Sequence, residues 1–125
     1  SISNNKSLFP KIHYWQIMSI TSVANGLMET VLERFMEISR PDQEQSKNFI
    51  DKLEVRALRT IKWLENNWKN YNEEYLTMDQ IAIACALDYT SFRFTNEWKN
   101  DHSNLNKWFN IFLKNAFMES TLPKI

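Results

Sequence analysis

The stretch Thr77-Met-Asp-Gln-Ile-Ala-Ile-Ala-Cys-Ala-Leu-Asp-Tyr-Thr-Ser-Phe-Arg-Phe94 decides the fold. It opens with a helix-start signal, Thr77 as N-cap and Gln80 three residues on. The Thr hydroxyl can accept from the backbone N–H of residue 80, and the Gln side chain can reach back to the N–H of residue 77. Residues Ile81 to Leu87 are then apolar without interruption. A helix apolar on all sides belongs inside a protein, surrounded by other helices. The small Ala82, Ala84, Cys85 and Ala86 side chains let those neighbours approach closely. The stretch therefore predicts the central helix of a bundle.

Composition points the same way. A chain of 125 residues is one domain's worth and can bury a core. With one Gly and three Pro, turns are few and elements long, which predicts an all-α domain. Lys plus Arg and Asp plus Glu stand at 15 each, and no long like-charge run occurs. Nucleic-acid and anionic-membrane surfaces carry a basic excess or stripe, so neither partner is expected. A single cysteine makes no internal disulfide, consistent with a reducing, cytoplasmic setting. No apolar run approaches the roughly 18 residues of a membrane span, and no signal-peptide pattern is present. The first Met is Met18, inside a predicted helix, so the chain is expected to be a fragment or a processed product.

Outward from the central stretch, residues 1–9 read as a leader or linker, and Pro10 suits the first turn of a helix. From Ile12 to about Ser39, Ile20, Val23 or Ala24, Leu27, Val31, Leu32 and Phe35 recur at steps of three and four and predict one helix. At about 1.5 Å per residue it would be roughly 40 Å long. Gly26, in its middle, costs about 1 kcal/mol relative to Ala, so it is expected to mark close approach of another backbone. Pro41 breaks the pattern. A second helix is predicted from Asp42 to about Lys69, with Phe49 or Ile50, Leu53, Ala57, Ile61, Leu64 and Trp68 on one face. The two should form an antiparallel hairpin. Asn66 to Tyr75 reads as a loop and Asn96 to Ser103 as a turn. A further helix carries Leu105, Trp108, Phe109 and Phe112, with a last short turn at Phe117–Met118. About five helices result.

The central stretch, with its capped start, Ile-Ala-x-Ala-Cys-Ala-Leu-Asp-Tyr and Phe92-Arg93-Phe94, resembles the core helix of the C-terminal domain of bacterial glutathione S-transferases. Three further elements carry the resemblance in order. Val23-Ala24-Asn25-Gly26-Leu27-Met28 is similar to the family's A-D-G-I/L-L/M element, and Arg40-Pro41 precedes a long helix as in the family. His102-Ser103-Asn104-Leu105, Trp108 and Phe117-Met118-Glu119-Ser120-Thr121 resemble the family's close. Departures are Gln80 and Asn25 where the family has Asp, Ser103 for Pro, and Asn115-Ala116 for Arg-Pro.

The resemblance implies a two-part parent protein. An N-terminal thioredoxin-like domain, absent from this chain, would bind glutathione as cosubstrate and supply the Ser, Tyr or Cys at the thiolate. The helical domain would line the electrophile pocket and contribute to a homodimer. The implied activity is conjugation of glutathione to apolar electrophiles, or glutathione-dependent reduction of peroxides or disulfides. The chain alone would not be catalytic. A different class remains open: a non-enzymatic interaction module, as such domains are in translation factors, aminoacyl-tRNA synthetases and a stringent-response regulator.

Candidate residues follow. Asn25 holds the position of the family's Asp, near which a partner subunit's glutathione lies; as a neutral amide it could also merely support the backbone at Gly26. Tyr14, Trp15 and Met18, beside His13, match the border of the electrophile pocket, and such aromatic and Met surfaces suit varied apolar ligands. They could equally pack against the missing domain. Thr77 and Gln80 are structural caps. Cys85 is expected to be an inert core residue, since a reactive Cys needs a lowered pKa and exposure. His102 is expected to cap a helix, Arg93 to pair with Asp88, and the five Trp to be core or boundary anchors. The two His have no third ligand near them in sequence, so no metal site is expected. Removal of a domain should leave an apolar patch and favour self-association.

Overall fold

The computed structural model describes residues 13–69 and 76–119, with side chains as far as residue 115. The leader, most of the loop before the central helix and the last residues of the closing motif lie outside them. Among the described residues, regular structure consists of α1 (Tyr14–Ile38), a 3-10 turn (Asp42–Glu44), α2 (Lys47–Asn67), α3 (Met78–Arg93), α4 (Trp98–Asp101) and α5 (Ser103–Glu119). The all-α bundle expected from the sequence is present.

Helix α1 buries Ile17, Ile20, Ala24, Leu27 and Val31, a stripe at steps of three and four. Leu32, expected on that stripe, is exposed instead, and Phe35 is half-buried. Its last turn is tied to the start of α2 by one carboxylate. Glu37 accepts from the Ser46 N–H at 2.7 Å and from the Arg40 guanidinium at 3.2 Å. The Gln45 amide donates to the carbonyls of Ile38 and Arg40, at 3.1 and 2.8 Å, and so holds the connection. The second helix starts at Lys47, later than the predicted Asp42, because Ser46 is the working N-cap. Its hydroxyl accepts from the Phe49 N–H at 3.2 Å, while Asp42–Glu44 closes as a separate 3-10 turn after Pro41. Leu53, Ala57, Ile61 and Leu64 of α2 are buried as predicted. An Arg34–Glu54 ion pair at 2.8 Å bridges the antiparallel pair.

At the far end of α2, the Trp68 indole N–H donates to Asp79 Oδ2 at 2.9 Å. The other carboxylate oxygen of Asp79 accepts a hydrogen bond from the Thr77 hydroxyl. Thr77 does occupy the N-cap, with extended backbone, but its side chain caps no helix amide, contrary to the capping-box expectation. The ionised acceptor two residues on is the stronger partner for that hydroxyl. Gln80 is buried in the same turn.

Helix α3 runs beside α1 in the same direction: the Arg34 guanidinium reaches the Arg93 carbonyl at their C-terminal ends, 3.2 Å apart. Ala24 of α1 shares one buried cluster with Ala82, Ile83, Ala84, Ala86 and Leu87 of α3. The buried Thr90 satisfies its hydroxyl on the Ala86 carbonyl at 2.7 Å, inside its own helix. The central helix is not enclosed on every side. Ile81 is half-buried and Cys85, Asp88 and Phe92 are exposed, at steps of four, three and four. Cys85 is thus a surface residue and not the core residue expected.

The C-terminal segment closes the other side of α3. The segment expected as a turn contains α4, whose Trp98 is buried, donates to Ser91 Oγ at 3.0 Å and meets Phe109 edge-on at 5.5 Å. Trp68 packs edge-on against Trp108 at 4.7 Å, and Trp108 against Phe112 at 5.1 Å. Three Trp are thus anchors, whereas Trp15 and Trp63 are exposed. Glu65 of α2 accepts the N–H of Leu105 at 3.2 Å, satisfying a donor in the first turn of α5. Among the described residues no helix is long and apolar enough to cross a membrane.

Among the described residues no other backbone lies over Gly26. A Cβ built there would meet nothing within 4 Å, and the Gly26 carbonyl accepts the Thr30 hydroxyl at 2.8 Å. Gly26→Ala is therefore expected to stabilise the fold by about 0.5–1 kcal/mol, the helix-propensity difference, read by urea denaturation. A destabilisation would show that something outside this chain approaches there. Glu37 gives a second test. Its carboxyl is held below its ordinary value of 4.5, chiefly by the Ser46 N–H and further by Arg40, against the opposing effect of burial. A lowered carboxyl pKa adds stability above its unfolded value and loses it as pH falls through the folded one. Wild type should exceed Glu37→Gln fully at pH 7, less below about pH 4.5, and not at all once Glu37 is protonated in both states.

Candidate functional site

Positions four, seven and eleven apart fall on one face of an α-helix. Tyr14, Met18 and Asn25 satisfy that spacing in α1, and all three are exposed. The same face continues through Leu32 and Met36, also exposed. Met18 and Met36 lie off the Ala24–Leu27–Val31 stripe by helical spacing alone, whereas Leu32 is expected on that stripe and its exposure comes only with the structure. Because α3 runs parallel beside α1, its own open stripe of Ile81, Cys85, Asp88 and Phe92 continues this surface. The result is an apolar-rich face along both helices, interrupted by the exposed polar positions Ser22, Asn25, Glu29 and Asp88. Phe92 is 71% exposed, a large ring in water that sequence reading had not singled out.

Trp15 stands apart from that face. It is 77% exposed and touches the Tyr14 ring edge-on at 5.1 Å. On its other side it borders a groove of about 350 Å3 shared with Trp63, Asn67 and Lys69 at the end of α2. One helical step of about 100° separates it from Tyr14, which is why adjacent aromatic residues look to different surfaces. A second shallow groove, of about 330 Å3, has Val23, Gly26, Thr30 and Thr60 as its floor and Glu29, Glu33 and Arg56 at its lips.

Among the described residues no group of His, Cys, Asp and Glu could hold a metal ion. The Cys85 thiol is pushed above its ordinary value, first by desolvation and then by the Asp88 charge; that makes it a poorer nucleophile at neutral pH. Arg93 does not pair with Asp88. Its guanidinium lies against the rings of Phe35, at 4.0 Å, and Phe92, at 4.3 Å.

No family model matches the chain. Over 113 residues it is 27% identical to the uncharacterised GST-like protein YibF of Escherichia coli K12, covering 87% of this chain and 56% of that protein. Its fold is similar to that of a glutathione transferase family member from Pseudomonas fluorescens Pf-5 with bound S-(propanoic acid)-glutathione. There the TM-score is 0.81 at 24% identity, over 94% of this chain and 63% of that one. It is likewise similar to a glutathione S-transferase from Methylobacillus flagellatus KT with glutathione bound, with TM-score 0.80 at 23% identity over 94% of this chain and 61% of that one. The chain therefore spans a little over half the length of the curated relative and about three-fifths of these solved chains. The bundle has a glutathione S-transferase C-terminal-like fold.

Proposed function

We propose that this chain is the helical half of a protein that joins the thiol of glutathione to apolar electrophiles, and that a thioredoxin-like domain covers the outer face of α1 and α3. The observation that carries the reading is that face itself. Tyr14, Met18, Leu32, Met36, Cys85 and Phe92 leave a long apolar-rich surface in water, on a chain that spans only part of its relatives. Surfaces of that kind mark interaction sites. Neighbours of this fold carry bound glutathione or a glutathione derivative.

In this reading Tyr14 and Met18 line the electrophile cleft, and Trp15 borders it through its edge contact with Tyr14. Asn25 hydrogen-bonds the glutathione held by a partner subunit of a homodimer. The group that activates the thiol belongs to the covering domain, and this chain supplies shape, apolarity and one amide. The reducing cytoplasm suits a thiol cosubstrate and the unpaired Cys85.

Calorimetry tests the reading. The full-length polypeptide should bind glutathione, and the 125-residue chain alone should not. Absence of binding by both would favour a helical interaction module without glutathione chemistry. In the full-length protein, Asn25→Ala should weaken glutathione binding about two- to tenfold, the worth of one neutral hydrogen bond. Met18→Ala should raise the KM for an apolar electrophile about fivefold, for the loss of roughly 1 kcal/mol of apolar contact, with glutathione affinity unchanged.

A further inference from the structure

At the C-terminal ends of α1 and α3 a cation sits in aromatic surroundings without an acid. Arg34 and Arg93 both lie in this region, Arg34 donating to the Arg93 carbonyl. Arg34 is fully engaged, with Glu54 at 2.8 Å, the Arg93 carbonyl at 3.2 Å and the Phe94 ring at 4.4 Å. Arg93 has the Phe35 and Phe92 rings against it. Its Nε is buried with no hydrogen-bond partner, and among the described residues no carboxylate lies within ion-pair distance of it. Glu54 balances one of the two charges, so the cluster carries an excess of one positive charge in a partly dry place. A buried donor without a partner is costly, and such groups call for an explanation. Around it, Leu32, Met36 and Phe92 are exposed. Arg with Phe and Met is the composition of interface centres rather than of ordinary surface.

We propose that Arg93 is the socket for an acidic side chain, carried among apolar residues by the part of the polypeptide that packs on the outer face of α1 and α3. The inference rests on the reading given under Proposed function and adds the chemistry of the contact. The rings hold the guanidinium in place and lower the local dielectric. The incoming carboxylate accepts from the terminal N–H groups of Arg93, which unlike Nε are not buried, and cancels the excess charge, while Leu32, Met36 and Phe92 are covered by apolar neighbours. An Arg–carboxylate pair is charge-assisted and directional, so it would set the register of the covering element along the two helices.

Cys85 lies seven residues before Phe92 on the same exposed stripe and reports whether the face is covered. The experiment is maleimide labelling of Cys85 in the full-length protein, read by mass of its peptide against a urea-unfolded reference. Wild type should label slowly, and faster as KCl rises from 50 mM to 1 M, since salt weakens ion pairs at partly exposed sites. Arg93→Met keeps length and apolarity without charge; it should label about tenfold faster than wild type or more and keep only the smaller salt dependence that comes from screening Asp88 beside Cys85. Arg93→Lys should fall between the two, and circular dichroism checks that each variant is folded. If Arg93→Met does not fold, the salt series on wild type and Arg93→Lys decide alone. Slow labelling that ignores both salt and Arg93 would overturn the socket while leaving the covered face standing. Fast labelling of wild type would remove the covering domain and the socket with it. Protection that grows with protein concentration would overturn the proposal in favour of a second copy on this face.

Discussion

The carboxylate of Asp79 is the constraint on which the bundle depends. It is buried, and both oxygens are engaged, one by the Trp68 indole and one by the Thr77 hydroxyl. A buried charge is tolerated when it is hydrogen-bonded on all sides, and the first turn of α3 adds the positive end of a helix dipole. The same group thus holds the exit of α2 and the entry of α3 at fixed positions. Trp68, so held, places its ring against Trp108 and through it Phe112 of α5. Helix α3 is positioned at its start by Asp79 and at its end by the Arg34 contact to the Arg93 carbonyl. Two ends fixed in this way set the register of α3 along α1, and hence which of their residues share the outer face.

What the sequence made legible was mostly what repeats. The stripes of Leu53, Ala57, Ile61 and Leu64 and of Ile20, Ala24, Leu27 and Val31 are periodic and were buried where the period put them, whereas Leu32, expected on the same α1 stripe, is exposed and Phe35 half-buried. Single hydrogen bonds were less legible, because several acceptors compete within one turn. Asp42 and Ser46 both follow Pro41 as possible helix starts, and Ser46 prevails where Glu37 can reach its N–H. Thr77 has the right residue type for a cap, but Asp79 outcompetes the helix amides for its hydroxyl. The error over Cys85 has another origin. Seven apolar residues in a row cover every direction around a helix, yet α3 has neighbours on only part of its circumference. The exposed Asp88, three residues after Cys85, was the available sign of the open side.

The candidate site divides along similar lines. Tyr14, Met18 and Asn25 share a face by helical spacing alone, so grouping them needed no coordinates. Trp15 needed the position of α2, which brings Trp63 and Lys69 to its other side. The Arg93 cluster was beyond sequence reading, since Phe35 is 58 positions away along the chain and only the parallel packing of α1 and α3 brings them together. The two exposed sides of α1 differ in character. Toward α2 the groove at Gly26 is rimmed by Glu29, Glu33 and Arg56, whereas toward α3 the surface is apolar-rich with one buried cationic edge.

The bond from Leu105 to Glu65 spans 40 residues. Most of a helix's stability in a protein comes from tertiary packing, and α5 has a first-turn amide satisfied by a distant side chain, Glu65. Closing so long a loop costs entropy that neighbouring contacts must offset first. The hairpin of α1 and α2 is local and can assemble early, but α5 gains its first-turn partner only after α2 is helical through Glu65. The C-terminal helix is thereby made conditional on the hairpin, which couples the two ends of the chain into one cooperative folding unit.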